Sequence, residues 1–559
     1  MLRVPTLQPT VQSIMSKYTR TWVPLLLLVL AVTALYGQFL WNPILFDDLP
    51  FFMTDNEGNQ PVSSYHFAIF QLRSLPYATL AWTKAWLGLD LINFRVGNLL
   101  LHAAVVLALY FFLAALFPAV YGERDKAGLS PRLAAFFAAL LFALHPVATY
   151  AAGYLVQRTI IMATLFCLLS MLSYVHGSLR QKPLWLWMSV PFYYLAVFSK
   201  EHAIMLPAVL LALTVLLYDD WWAKLKQRWG VFAALAAIAV FVISLRGLLG
   251  SVYEINAPEM LLATDRQLSY PLSVITQSWL FFKYALLWVF PNPTWMSVDM
   301  REPFARSLFS PYLLAACGFV AWGVGAFWLL LKRGRLGLVG LAMLFPWLMF
   351  FTEFSAVRIQ EVFVLYRSYL WAAGAFCLLP MLFFRLDVRI AAFILTAIAL
   401  AMLPISMERL KTFSHPLLLW DDAEKLVSGR TDLPGAYRIY YNRGTELVKI
   451  DYPDQAIADL KQAIALSKDF AEGYGNLGAA YIKKRDWKNA VASFSRALEI
   501  AHGTGKAISS RYIYGRAKAY ENMGETEKAR ADYKESCRLA NKGCEKVNPA
   551  PFAELSMQK

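Results

Sequence analysis

Asp47 and Asp48 stand side by side in Phe46-Asp-Asp-Leu-Pro50, directly after an apolar run long enough to cross a bilayer. Two adjacent carboxylates can accept a proton as a general base, hold a divalent cation, or cap the helix that Leu49 and Pro50 would begin. The catalytic alternative gains from the groups that occur at similar positions. Arg73 precedes Ser-Leu-Pro76. His145 and Pro146 close one apolar stretch, and Gln157 and Arg158 open the next. Lys200, Glu201 and His202 form a turn between two more stretches, and Glu353, Arg358, Glu361 and Arg367 flank the start of another. An ionisable group in such a helix costs about 2.5–3.5 kcal/mol on insertion, which makes each one a functional candidate. For a single Arg or Lys, a side chain reaching for the interface is explanation enough. Several basic groups on the same side as an acid pair point further. Arg grips phosphate as a fork and Lys as a point charge, so the set predicts a phosphate-bearing lipid with a base beside it. Asp55 and Glu57 read as solvated, and Asn98 and His102, four apart on one helical face, as a polar helix contact. Zinc-ligand spacing, a P-loop, a nucleophile elbow and a dinucleotide glycine motif are all missing from the sequence.

The elements that must position these groups are membrane helices. Of 559 residues, 58% are hydrophobic and 16% charged, against about 25% charged in a soluble domain. Apolar stretches recur at 22–40, 95–118, 132–150, 159–176, 184–199, 202–218, 231–249, 310–331, 336–351, 369–384 and 389–406. The net charge of +15 is an orientation signal and not a nucleic-acid footprint, because the basic residues cluster in short loops. Those clusters are Arg3/Lys17/Arg20, Arg124/Lys126/Arg132, Arg180/Lys182, Lys224/Lys226/Arg228, Lys332/Arg333/Arg335 and Arg385/Arg389. Placing them all in the cytoplasm gives an N-terminus inside, a first span that is an uncleaved signal anchor, and about eleven crossings. Ser273 to Phe290 is long enough to cross but would invert the later loops; it is expected to be re-entrant or interfacial, beside a cavity. The stretch from Tyr77 to Leu89 is expected along the outer surface.

The tail repeats itself at a period of 34 residues. Gly444, Leu447, Ala456, Leu460 and Ala463 recur as Gly478, Tyr481, Ala490, Phe494 and Ala497; a third copy, offset by an insertion near Gly503–Lys506, supplies Ala517, Tyr520, Gly524, Ala529 and Tyr533. This is the tetratricopeptide pattern of stacked helical hairpins, and it predicts either a docking surface for protein or an assembly module. The fold class is therefore all-α: a polytopic bundle over 1–406, then a soluble α-solenoid of about three repeats over 407–559. Cys167, Cys317 and Cys377 read as buried thiols. Cys537 and Cys544 are expected to pair if the tail lies outside the cytoplasm. The chain carries no usable Asn-x-Ser/Thr acceptor, which fits a bacterial periplasm.

Phe46-Asp-Asp-Leu-Pro50, Arg73-Ser-Leu-Pro76, Asn98-Leu-Leu-Leu-His102, Phe142-Ala-Leu-His-Pro146, Gln157-Arg158 and Ser199-Lys-Glu-His-Ala203 occur in that order, followed by Phe290-Pro291 with Asp299 and by Tyr366-Arg-Ser-Tyr369. In this order, ahead of the repeats, the chain resembles the TMTC-like transmembrane and tetratricopeptide repeat-containing proteins. These are relatives of the protein O-mannosyltransferases in the GT-C superfamily. The resemblance implies a GT-C-like membrane domain and inverting transfer of a sugar from a polyprenyl-phosphate donor to protein Ser/Thr hydroxyls on the lumenal or periplasmic face; with no usable glycosylation acceptor in the chain, a bacterial inner membrane is the expected location. The resemblance places the acidic pair on Asp47 and Asp48 and the phosphate contacts on Arg158, Lys200 and Arg367; Arg73, His145, Glu201 and Glu353 remain further candidates from their own placement at the apolar stretches. At Tyr366-Arg-Ser-Tyr369 the chain departs from the pattern, since relatives tend to carry an acidic or His residue before the arginine. No metal is required, although Asp47 and Asp48 could hold Mg²⁺ or Mn²⁺. The expected partners are the lipid-linked donor, an acceptor protein held by the repeats, and the bilayer. Other transferases of lipid-linked oligosaccharide or aminosugar would use the same outer cavity, and a transporter or a scaffold recruiting through the repeats is the alternative outside enzymology.

Overall fold

A computed structural model describes residues 11–52, 61–121, 129–247, 268–359, 361–504, 509–540 and 542–547. Asp55, Glu57, Arg124, Lys126 and the side chains of Arg3, Lys17 and Arg20 lie outside the described residues. Among the described residues the chain is all-α, and the extended pairing is confined to one bridge between Met300 and Phe363. It divides into two compact units, 1–300 with 304–415, and 416–559 with 301–303.

In the first unit, seven helices among the described residues are long and apolar enough to cross a membrane, or nine if each of two bent pairs is one span. Local chemistry sets where they start and break. Ser130 accepts a hydrogen bond from the Leu133 amide at the head of Pro131–Ala143. His145-Pro146 then ends that helix, because proline disfavours helical backbone at the residue before it and donates no N–H. The chain bends by 53° into Pro146–Ala152. The stretch 369–384, expected as one span, is broken into Ser368–Ala375, a 3₁₀ turn and Leu379–Leu382. The last apolar helix, Val388–Thr412, runs beyond the boundary read at 406; Asp387 caps it by accepting from the Arg389 amide.

Ser269–Val289, expected to be re-entrant or interfacial, is one continuous helix of 21 residues whose length and apolarity would also suit a span. Its first turn is tied to Phe354, whose carbonyl accepts from Tyr270 Oη at 2.9 Å. Its last turn meets His145, with Nε2 3.0 Å from the Trp288 carbonyl, and Ser368, which accepts from Trp288 Nε1. Phe354, His145 and Ser368 all follow or precede helices at the end of the bundle that carries the cavity described below. The basic loops gather at the other end: Arg333 pairs with Asp219, and Arg228 donates to Ser178 and Tyr218. The 23-residue helix Arg158–Arg180 separates the two ends by about 34 Å. Cys167 and Cys377 are buried as expected. Cys317 is exposed, on a helix at the rim of the bundle whose apolar side chains mostly face outward.

The second unit begins with helix Pro416–Val427, followed by three antiparallel pairs: Tyr437–Lys449 with Pro453–Leu466, Ala471–Lys483 with Trp487–Gly503, and Ser510–Asn522 with Thr526–Ala540. Gly478 faces the Phe494 ring, where any Cβ would lie 2.9 Å from ring carbons, so the pair closes only around glycine. Arg443 forms a two-pronged bond to Asp459 at 2.7 Å, and Arg516 an equivalent one to Asp532. Both are sixteen residues apart and join the two helices of a hairpin. Cys537 and Cys544 are bonded, with S–S 2.00 Å.

Candidate active site

Phe46–Asp48 forms a short 3₁₀ turn, and Phe46 takes left-handed backbone at φ 48°. A phenylalanine rarely adopts this conformation unless surrounding contacts enforce it. Here the enforcement is visible. Arg95 donates to the carbonyls of Asn42 at 2.7 Å, Pro43 at 2.5 Å and Gly153 at 3.0 Å, stapling the loop before the acid pair to the loop before Gln157. The turn sends the two carboxylates in different directions. Asp48 is buried and accepts from the backbone amides of Val156 at 2.8 Å and Leu155 at 3.4 Å. Burial pushes its carboxyl up to about 7, against those two amides and the Arg95 charge, which pull the other way. Asp47 keeps its side chain on a cavity of about 300 Å³, while its own amide donates to Tyr154 Oη at 2.6 Å.

Six separated stretches meet around that cavity: Asp47 with Phe51, Arg73 with Tyr77, Gln157 with Thr159, Lys200 with Glu201 and His202, Arg358, and Tyr366 with Arg367. Arg73 is also left-handed, at φ 61°; its amide donates to the Phe198 carbonyl at 2.7 Å and its guanidinium forks onto Glu201. Lys200 reaches Gln157 Oε1 at 3.2 Å and Thr159 Oγ1 at 3.3 Å, with its ammonium 4.7 Å from the centre of the Tyr366 ring. None of these is a carboxylate. Burial first, and the Arg73 charge after it, push the Lys200 amine down to about 7. Arg367 bonds Glu353 at 2.9 Å and Glu361 at 2.5 Å. Burial disfavours its charge, but the two carboxylates outweigh that and hold it well above the ordinary guanidinium range. Glu353 is fully buried behind the wall, 3.1 Å from His202 Nε2 and 3.5 Å from Arg358 Nε.

Asp47, Arg73, Lys200, Glu201 and Arg367, all singled out in the sequence, thus share one cavity. Four others do not line it. Arg158, expected as the leading phosphate contact, is spent inside the protein: it donates to Asn98 Oδ1 at 2.7 Å, the Phe94 carbonyl at 2.7 Å and Thr79 Oγ1 at 3.2 Å. His145 stacks on Trp288 with ring centres 4.2 Å apart. Asp48 holds a loop, and Glu353 orients arginines. Asn98 is therefore bound chiefly to Arg158 and to the carbonyls of Tyr154 and Leu155, not to His102, which pairs with Tyr369 Oη at 2.6 Å. With the Asp48 carboxylate turned to backbone amides, the acid pair does not present two carboxylates to one ion, and no group of three or more potential metal ligands occurs among the described residues. His202, Arg358 and Glu361, grouped with the charged candidates in the sequence but not assigned individually, also line the wall. The adjacency of His202 to Lys200-Glu201 was its only signal.

Tetratricopeptide repeat profiles match residues 437–470 and 469–542. Over 67 residues the chain is 33% identical to the Hsp70-Hsp90 organizing protein of Triticum aestivum, which covers 12% of this chain and 12% of that protein. The similarity therefore spans a small part of either chain. The C-terminal unit carries tetratricopeptide repeats.

Proposed function

We propose that the membrane unit transfers a sugar from a polyprenyl-phosphate carrier to a Ser or Thr hydroxyl of a protein outside the cytoplasm. The convergence of Asp47 with Arg73, Lys200, Arg358 and Arg367 on one cavity carries the proposal: a base facing a set of cations suits an anionic leaving group. The acceptor oxygen attacks the anomeric carbon from the face opposite the phosphate. Its proton passes to Asp47, the new carbon–oxygen bond forms, and the bond to phosphate breaks with its electron pair left on the phosphate oxygen. Lys200, Arg358 and Arg367 stabilise that charge, and the configuration at carbon inverts. Such a leaving group needs no metal.

Crossings by Val11–Tyr36, Leu91–Tyr121, the bent pair ending at Ala152, Arg158–Arg180, Pro183–Ser199, 201–217, Trp229–Gly247, Pro311–Leu331, Gly334–Phe350, 368–382 and Val388–Thr412 keep every cavity residue on one side of the membrane. Ser269–Val289 then remains on that side. With the basic loops in a bacterial cytoplasm, the cavity and the repeats face the periplasm, a compartment that suits the disulfide. The repeats would hold the acceptor protein and raise its effective concentration; the relative similar over 67 residues is named as an organiser of two other proteins. The test is glycoproteomics of the envelope from cells carrying the native chain, Asp47→Asn or Lys200→Ala. Loss of one glycoform at unchanged protein level is expected. Unaltered glycans in both variants would leave a scaffold that recruits through its repeats.

A further inference from the structure

His202 sits in the 3₁₀ turn Glu201–Met205 and lines the cavity. Its ring has two nitrogens with different surroundings. Nε2 is 3.1 Å from Glu353 Oε1. Glu353 also faces the guanidinium groups of Arg367 and Arg358, so it is an ionised carboxylate that can only accept, and the imidazole proton lies on Nε2. That leaves Nδ1 as a lone-pair acceptor. It is buried and has no hydrogen-bond partner among the described residues. A buried acceptor left unmet is costly, and at a cavity wall the missing donor is supplied by what the cavity takes up.

The rest of the wall identifies the donor. Arg73, Lys200, Arg358 and Arg367 offer only N–H groups, which suit phosphate oxygens. Among the wall's acceptors, Asp47 is the base for the incoming hydroxyl, Glu201 and Glu361 already accept from Arg73 and Arg367, and Gln157 Oε1 from Lys200. A sugar one bond from the phosphate brings several O–H donors that need acceptors. We propose that His202 Nδ1 accepts a hydrogen bond from a hydroxyl of the donor's sugar, so that Glu353 holds at once a phosphate-facing arginine and a sugar-facing imidazole. This assignment rests on the cavity's taking a lipid-phosphate sugar.

The test uses the full chain in lipid nanodiscs and measures binding of undecaprenyl phosphate alone and of undecaprenyl phosphate carrying mannose, glucose or N-acetylglucosamine. In His202→Gln the amide N–H can still reach Glu353, but no acceptor stands in the place of Nδ1. It is expected to weaken the sugar-bearing lipid by about tenfold and to leave the bare lipid unchanged. Lys200→Ala should weaken both alike. His202→Asn keeps an acceptor near the Nδ1 position and is expected to retain part of the preference for the sugar-bearing lipid that His202→Gln loses. If His202→Gln binds both lipids normally, or loses both in equal measure, His202 does not read the sugar, although the proposed transfer stands. If the native chain binds none of the four lipids, the proposed function falls and this assignment with it.

Discussion

Neighbouring side chains at the site differ more than their residue types imply. Asp47 and Asp48 are chemically identical, yet one faces the cavity and the other satisfies two backbone amides. Asp47→Ala is therefore expected to abolish transfer and to leave thermal unfolding in detergent almost unchanged. Asp48→Ala strands two buried amides and should lower stability by about 2–3 kcal/mol, seen as an earlier unfolding transition. Lys200 lends itself to a pH experiment, because burial and Arg73 bring its amine to about 7 while Glu201 and Glu361 act in the opposite sense. Below about 7 the ammonium is charged and attracts an anion; above it the amine is neutral. A sugar phosphodiester does not titrate between pH 6 and 8, so its affinity should fall over that range, by at most about tenfold per unit. In Lys200→Arg, which stays charged, the fall should vanish. An equal pH dependence in both proteins would exclude Lys200 as the titrating contact. These distinctions were not readable from the sequence: the chemistry at span ends identified Arg73, Lys200 and Arg367, but only a turn geometry separates Asp47 from Asp48. Arg158 looked a better phosphate contact than Arg367 until Asn98 and the Phe94 carbonyl turned out to claim its guanidinium.

The elements were legible where apolarity and length coincide, and less so where the chain breaks them. Leu91–Tyr121 and Pro311–Leu331 lie close to their expected spans because an unbroken apolar run has few other options in lipid. The interruption of 368–382 has a sequence signal in Pro380, which cannot donate to the Phe376 carbonyl and crowds it, whereas the packing of Gly374 against Phe345, with any Cβ 2.0 Å from the ring, belongs to tertiary structure. Close approach also governs the hairpin of Pro311–Leu331 and Gly334–Phe350. A Cβ on Gly340 would lie 2.3 Å from the Leu330 amide nitrogen, whereas one on Gly325 meets nothing within 4 Å. Small residues let membrane helices pack backbone to backbone. Gly340→Ala should therefore cost about 1–3 kcal/mol through forced separation, and Gly325→Ala almost nothing. Equal unfolding temperatures for the two variants in detergent would show that the helices do not approach as closely as described.

At the scale of the whole chain, the side of the membrane on which the tail lies depends on whether the number of crossings is odd or even. The twelve apolar segments would make an even count if every one crossed, returning the repeats to the side of the N-terminus. Ser269–Val289 decides between the two, since it is long enough to cross, yet its first and last turns both bond to residues at the cavity end of the bundle. A helix that starts and finishes at one end does not change sides. In the proposed topology of eleven crossings, the Lys332–Arg335 loop is cytoplasmic and the repeats lie outside. With a membrane-impermeant maleimide, Lys484→Cys in the tail should react in intact spheroplasts, whereas Arg335→Cys should react only after the membrane is opened. Cys537 and Cys544 should stay unreactive on the outside until a reductant is added, because their thiols are joined. The opposite pattern, with Lys484→Cys protected and Arg335→Cys exposed, would place the cavity in the cytoplasm. There no periplasmic hydroxyl could reach Asp47, and the disulfide would face a reducing pool of glutathione or similar thiols.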